Sequence, residues 1–300
     1  MRIMIVDCDY VCHTVLHSLP AMSYRGLRSE IVLGFLRRII VFCETFHPEE
    51  IAFTWDSKDS IRKEVYPIYK ENRRKVYDEM TAAEKEEKAL SRAQFNKIRT
   101  WVLPALGFNN VFIQDGYEAD DIIAAIVFGM PEEDSSVIIT ADKDMYQLLG
   151  ENCVIYNPSA KAIHNVASFE SEWGISPTDW GAAKSISGCK TDNVLGASYI
   201  TETGKLMRAG EKTAIKYLNG DLGENTKAYA AIEEVLNDGT AENVSCLVVL
   251  PLDGTDTPVL QDSNLSESSF RHVCSTYGLK TLTSDVTIQK WLNLLSGEEK

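Results

Sequence analysis

The 300-residue sequence contains no Cys-x-x-Cys pair, and its five histidines are scattered without the spacing of a zinc site. Seven cysteines, an odd number, therefore read as reduced thiols of a cytosol-like compartment rather than as a disulfide framework. Long hydrophobic runs are missing as well. The best one, residues 31–42, is broken by Arg37 and Arg38 and is too short to cross a bilayer. The opening Met-Arg-Ile-Met-Ile-Val meets Asp7 and Asp9 too early for a signal peptide, so a cytoplasmic chain without a membrane partner is expected. Positive charge is also scarce: 30 Lys and Arg stand against 44 Asp and Glu, a formal net charge of −14. Taken alone, that balance opposes nucleic-acid binding, because phosphates are contacted mainly by Lys and Arg. The location of the acids decides the question.

What is present is a globular composition, 44% hydrophobic and 25% charged, written as a repeated pattern. Apolar, strand-like runs stop on an aspartate. Ile3–Val6 stops at Asp7, Ile51–Trp55 at Asp56, Val111–Gln114 at Asp115, and Val137–Ala141 at Asp142. Helix-like stretches such as 30–46, 82–103 and 119–128 lie between them. Strands alternating with helices predict an α/β fold, a mostly parallel sheet covered on both faces. The strand C-terminal ends of such a sheet share one edge, where sites form. One aspartate after a strand is ordinary turn and cap chemistry. Four at one edge are a functional clue.

Denser acidic clusters reinforce it. Glu118, Asp120 and Asp121 open a helix, and three acids in four residues exceed what a cap needs. A divalent cation is the natural compensator of their repulsion. Asp142 and Asp144 follow a strand as an i, i+2 pair, and Asp192 lies in a loop bounded by Gly188 and Gly196. Oxygen ligands without Cys or His partners select Mg²⁺, with Mn²⁺ as a substitute, over zinc. So many carboxylates predict two or more ions, the arrangement used in phosphodiester cleavage with a separation of roughly 3.5–4 Å.

Between Lys58 and Lys75 the charge inverts, with seven basic residues against three acidic ones. A helix beginning near Pro67 would place Tyr69 beside Arg73 and Lys70 beside Arg74, an aromatic and cations suited to a phosphate and a stacked base. Beyond it, residues 78–92 are of mixed charge and read as an exposed helix. The acidity is otherwise concentrated in the last 80 residues, with 5 basic and 13 acidic side chains. Setting aside the eight candidate metal ligands, residues 1–220 carry a small positive excess, compatible with a phosphate-bearing partner.

Together these residues resemble the flap endonuclease and 5′–3′ exonuclease family of PIN-like nucleases, especially its phage and bacterial members. The resemblance rests on Ile5-Val6-Asp7, the run from Trp55-Asp56 to Arg73, Tyr117-Glu-Ala-Asp-Asp121, Ala141-Asp-Lys-Asp144 through Leu148, Asp192-Asn193, and Gly210-Glu-Lys-Thr-Ala214. It implies a nuclease domain over residues 1–167 and a helical C-terminal region over 168–300 with a helix–turn–helix-like duplex-binding segment. It implies a monomeric enzyme that cuts DNA, or RNA in a hybrid, near free 5′ ends or branch junctions, alongside replication proteins. Asp7, Asp56, Glu118, Asp120 and Asp121 would serve a first metal site, and Asp142, Asp144 and Asp192 a second. Lys70 and Arg73, with Asp56 and Asp120, would form the catalytic set. Arg62, Tyr69, Lys70, Arg73 and Arg74 would face the nucleic acid, and Gly210, Lys212 and Thr213 would hold the duplex. The family usually carries an aspartate where Cys189 stands, and the loop over residues 197–207 is longer than its compact hairpin.

Two other readings compete. Asp7-Cys-Asp9-Tyr-Val11 fits the D-x-D-x-[TV] opening of haloacid-dehalogenase-like phosphatases, with Asp7 as nucleophile and Asp9 as acid. A non-catalytic branched-DNA binding protein would account for Cys189.

Overall fold

The computed structural model describes residues 1–16 and 18–295. Its centre is a six-stranded sheet ordered Val111–Phe112, Glu50–Thr54, Arg2–Asp7, Ser135–Ile139, Cys153–Asn157 and Ala162–His164. The first five are parallel, and the edge strand Ala162–His164 pairs antiparallel with its neighbour. The α/β architecture follows the expectation. The last two strands did not stand out in the sequence, because Cys153–Asn157 ends without an acid and Ala162–His164 is only three residues long.

Alternation along each strand sends neighbouring side chains into opposite layers. Met4, Val6, Phe53, Val137 and Ile139 enter one core with the helices Cys8–Leu16, Glu30–Phe46 and Glu267–Tyr277. Ile3, Ile5, Ala52 and Ile138 enter the other with Ala119–Gly129, Trp180–Ser187 and Glu211–Leu218. Burial on both faces explains why these strands read as continuous apolar runs. The chain end returns to the first layer: Phe270 stacks on Trp291 with centroids 4.4 Å apart, and Trp291 meets Phe108 edge-on at 5.6 Å.

The basic stretch is organised differently from the expectation. Arg62–Val65 forms one short helical turn and Glu71–Glu79 forms a separate helix that buries no side chain. Tyr69 and Lys70 lie in the turn between them, so the proposed aromatic–cation face on one helix does not form. Thr81 breaks the chain again, its hydroxyl capping Glu84 while Glu84 returns a bond to the Thr81 N–H. Ala82–Lys97 then continues through a π-helical turn, Ile98–Val102, to a stop at Gly107, whose φ of +97° suits glycine.

Candidate metal centre

Parallel strands bring the acids to one edge. Asp7 ends Arg2–Asp7 in register with Thr54, so Asp56 follows two residues beyond on the neighbouring strand. On the other side Ile139 pairs with Val6, and Thr140 leads into Asp142. Asp7 is buried, accepting the Tyr10 N–H at 3.0 Å and the Thr140 hydroxyl at 2.9 Å. Asp56 accepts the Ala119 N–H at 2.9 Å, which ties the second strand to the start of the helix carrying Asp120. Asp9 accepts the Asp56 N–H at 3.1 Å.

Ionisation at this edge is costly. Burial, then the charges of Asp56 and Asp9, push the Asp7 carboxyl up to about 8 despite the Tyr10 hydrogen bond. Asp120 is raised well above the carboxylate range by burial and by Asp142, Asp7, Asp56 and Glu118, which places all five carboxylates in one field. Asp56 is raised too, by burial against the bond from Ala119 and the charge of Lys70. Asp9 rises to about 6 by burial and the charge of Asp56.

Glu118 has a different environment. Burial alone would raise it, but Lys70 and Arg62 outweigh burial and hold it below the usual carboxylate range. It accepts Lys70 Nζ at 2.8 Å and the Tyr69 hydroxyl at 2.9 Å. Lys70 adopts a left-handed φ of +55°, uncommon for a residue with a Cβ, and donates its N–H to the Asp192 carbonyl at 2.8 Å. Its ammonium also lies 3.9 Å from the Asp192 carboxylate. Asn72 bonds to the Thr191 carbonyl and Asn193 to the Ile68 carbonyl, so the basic turn and the 188–196 loop form one rigid joint.

Further along the edge, Asp142 caps the Asp144 N–H at 2.9 Å. Asp144 pairs with Lys184 at 2.9 Å, and Asp192 pairs with Arg73 at 2.7 Å. Burial and Asp142 raise the Asp144 carboxyl to about 6, with Lys184 opposing. The ligand atoms of Asp144, Cys189 and Asp192 lie within 4.8 Å of one another.

Three expected site residues are placed elsewhere. Asp121 is fully buried and its oxygens are taken: Arg62 binds them bidentately at 2.6 and 2.7 Å, and the N–H groups of Glu118 and Leu252 bind at 3.1 and 2.9 Å. It is a cap and an ion-pair partner, with no lone pair turned to the edge. Arg62 is only 1% exposed and also holds the Leu247 carbonyl at 2.9 Å, so it does not face nucleic acid. Tyr69 is buried with its hydroxyl on Glu118 and offers no face for stacking a base. Arg73, Arg74, Gly210 and Lys212 are exposed and Thr213 is half-buried. Gly210 stands at the N-terminus of Glu211–Leu218 without a side-chain cap.

Lys184 was missed in the sequence, although it is the lone charge in the otherwise apolar and small helix Trp180–Ser187, a pattern that marks a buried cation needing a partner. Asp115 lines an open cleft of about 640 Å³ with Asp9, Asp56, Lys58, Arg92 and Arg99.

Residues 2–174 match the family described as 5′-3′ exonuclease, N-terminal resolvase-like domain. DNA polymerase I of Mycobacterium tuberculosis is 27% identical over 258 residues, covering 82% of this chain and 26% of that protein. The thermostable DNA polymerase I of Thermus aquaticus is 28% identical over 220 residues, covering 72% of this chain and 24% of that protein. The chain thus spans about a quarter of the length of these curated relatives. Among solved structures, the bacteriophage T5 flap endonuclease in complex with DNA and metal ions aligns over 99% of this chain and 100% of its own, with a TM-score of 0.70 at 17% identity. Human GEN1 in complex with Holliday junction DNA aligns over 98% of this chain and 72% of its own, with a TM-score of 0.54 at 12% identity. The matched domain and the ordered acidic edge lead to one assignment: the chain belongs to the 5′-3′ exonuclease family.

Proposed function

We propose that the protein is a structure-specific 5′ nuclease that hydrolyses phosphodiesters of DNA, or of RNA in an RNA:DNA hybrid, near free 5′ ends and branch junctions. One observation carries this reading: Asp7, Asp56 and Asp120, whose ionisation is opposed by burial and by neighbouring charge, share one sheet edge with Glu118 and Asp142. An edge of this kind fits divalent cations, and its oxygen donors suit Mg²⁺, with Mn²⁺ as a substitute. Bound ions would neutralise the acids and activate water beside the phosphate. The DNA-bound state of the T5 and GEN1 structures supports a branched or 5′-ended duplex as partner.

The chain's own groups perform the positioning. Lys70, locked by Glu118 and the Asp192 carbonyl, presents a fixed ammonium beside the acids and offsets charge on the phosphate oxygens in the transition state. Arg73, 57% exposed at the rim, exchanges Asp192 for a phosphate. Arg74, 83% exposed, adds a solvent-screened contact. The uncapped N–H groups after Gly210 suit a duplex phosphate, with Lys212 and Thr213 beside them. We place the protein in a bacterial or phage-infected cytoplasm, as a monomer acting with replication proteins.

Membership of the exonuclease family leaves the phosphatase reading without support. The ion pairs Lys184–Asp144 and Arg73–Asp192, which neutralise two second-site acids, favour the non-catalytic branched-DNA binder as the remaining alternative. End-labelled 5′-flap, nicked and single-stranded substrates separate the two. Mg²⁺-dependent release of short 5′ products from the flap supports the nuclease, and intact binding without cleavage under any divalent cation overturns it.

A further inference from the structure

We infer that the second cation site of this chain has a mixed sulfur–oxygen donor set, Cys189 Sγ with one carboxylate oxygen each from Asp144 and Asp192, and that it takes a thiophilic divalent cation of the zinc and cobalt class in preference to Mg²⁺. The inference rests on the nuclease reading above, and it concerns this chain's own departure from the all-acid pattern.

The three ligand atoms come from two segments, Asp144 after its strand and Cys189 with Asp192 in the 188–196 loop, and converge within 4.8 Å. Cys189 Sγ lies 3.6 Å from an Asp192 carboxylate oxygen, inside the spacing that ligands of one ion adopt. The thiol is buried, and its backbone is fixed by pairing of Gly188–Cys189 with Val194–Leu195. Gly188 adopts φ +68°, and a Cβ there would meet the Gly196 nitrogen at 2.5 Å, so the tight loop requires glycine at this turn. Cys189 is therefore preorganised and does not depend on a mobile segment.

The surroundings suit sulfur. Thr191 Oγ1 lies 3.0 Å from Sγ and can donate to it once the thiol has lost its proton, as coordination requires. The two carboxylates are kept ready by cations that have somewhere else to go. Lys184 contacts Asp144 and also lies 3.6 Å from Glu211, and Arg73 is more than half exposed beside Asp192. A set of two oxygens and a thiolate discriminates against Mg²⁺, which demands oxygen ligands, and favours softer ions. The first site, built from Asp7, Asp56, Asp120 and Glu118, contains no sulfur, so the two sites differ in preference.

Cobalt(II) titration of the EDTA-stripped full chain reads this directly, because thiolate coordination gives a near-ultraviolet sulfur-to-cobalt charge-transfer band. Wild-type protein is expected to develop the band to saturation at one equivalent. Cys189→Ser should abolish it, and Cys246→Ser, which removes the one exposed thiol, should leave it unchanged. Cys189→Asp should show no band but bind Mg²⁺ about tenfold more tightly at this site by calorimetry, as an added hard ligand requires. Cobalt binding to wild type without the band, or a band that survives Cys189→Ser, overturns the inference while leaving the nuclease reading intact. Failure of the wild-type protein to bind any divalent cation overturns that reading as well.

Discussion

Replacing Arg62 with alanine removes three hydrogen bonds from a site that water does not reach. The guanidinium is 1% exposed and Asp121 is 0% exposed, joined by two contacts of 2.6 and 2.7 Å, with a third bond to the Leu247 carbonyl at 2.9 Å. Asp121 would keep only two backbone N–H donors, leaving a buried charge without its counterion. Breaking a buried pair from one side costs about 3–5 kcal/mol, whereas an exposed pair is worth about 0–1 kcal/mol. Against a total stability of about 5–15 kcal/mol, that loss is a large share. Urea unfolding should show a lower midpoint with an unchanged slope, and Arg62→Met with Asp121→Leu should recover only part of the loss, because removing both charges leaves the Glu118 and Leu252 N–H groups without their acceptor. Below its unfolding midpoint, the Arg62→Ala protein should bind flap DNA with the wild-type salt dependence. A stability loss under about 1 kcal/mol, with the salt slope reduced by about one, would refute the buried-strut role and make Arg62 a phosphate contact.

Three further outcomes are expected. Lys70→Ala should lower kcat by about 10²–10³ while flap affinity falls much less, because the ammonium is placed for developing charge rather than for ground-state binding; single-turnover kinetics check this, and a loss confined to affinity would contradict it. Asp9→Asn should leave the cleavage rate near wild type, since an amide oxygen still accepts the Asp56 N–H, whereas a general acid at this position would make the change severe. In EDTA, stability should fall as pH rises from about 4 to about 8: Asp7, at about 8, and Asp9 and Asp144, at about 6, hold protons in the fold that the unfolded chain has already released. Mg²⁺ should flatten that slope in thermal unfolding, and a rising slope in EDTA would contradict the assigned shifts.

The strand-to-aspartate pattern made the parallel sheet and its acidic edge legible, because strands buried on both faces are apolar throughout and their ends are marked by polar residues. What could not be read was which acids face the edge. Asp120 and Asp121 are adjacent in sequence, yet helical geometry turns Asp120 to the cluster and Asp121 into the core, and the counterion that reveals the difference, Arg62, is 59 residues away. The same long-range pairing hid the fate of the basic run. A stretch that reads as one aromatic and cationic helix face for a phosphate and a base divides into a buried strut at Arg62, a clamp at Lys70 and exposed arginines at 73 and 74, because Glu118, Asp121 and Asp192 arrive from distant segments. The helix pattern around Lys184 marks a buried cation, but its partners Asp144 and Glu211 lie on other elements and so could not be named.

We propose that the acidic edge cleaves DNA near a 5′ end. This is tested most directly by following an end-labelled 5′ flap with Mg²⁺ for the wild type and Asp120→Asn in parallel, measuring binding and cleavage on the same samples. The wild type should release short 5′ products, and none in EDTA, while Asp120→Asn should bind the flap without cutting it. Equal cutting by Asp120→Asn and wild type, or binding without cutting by both, would contradict it.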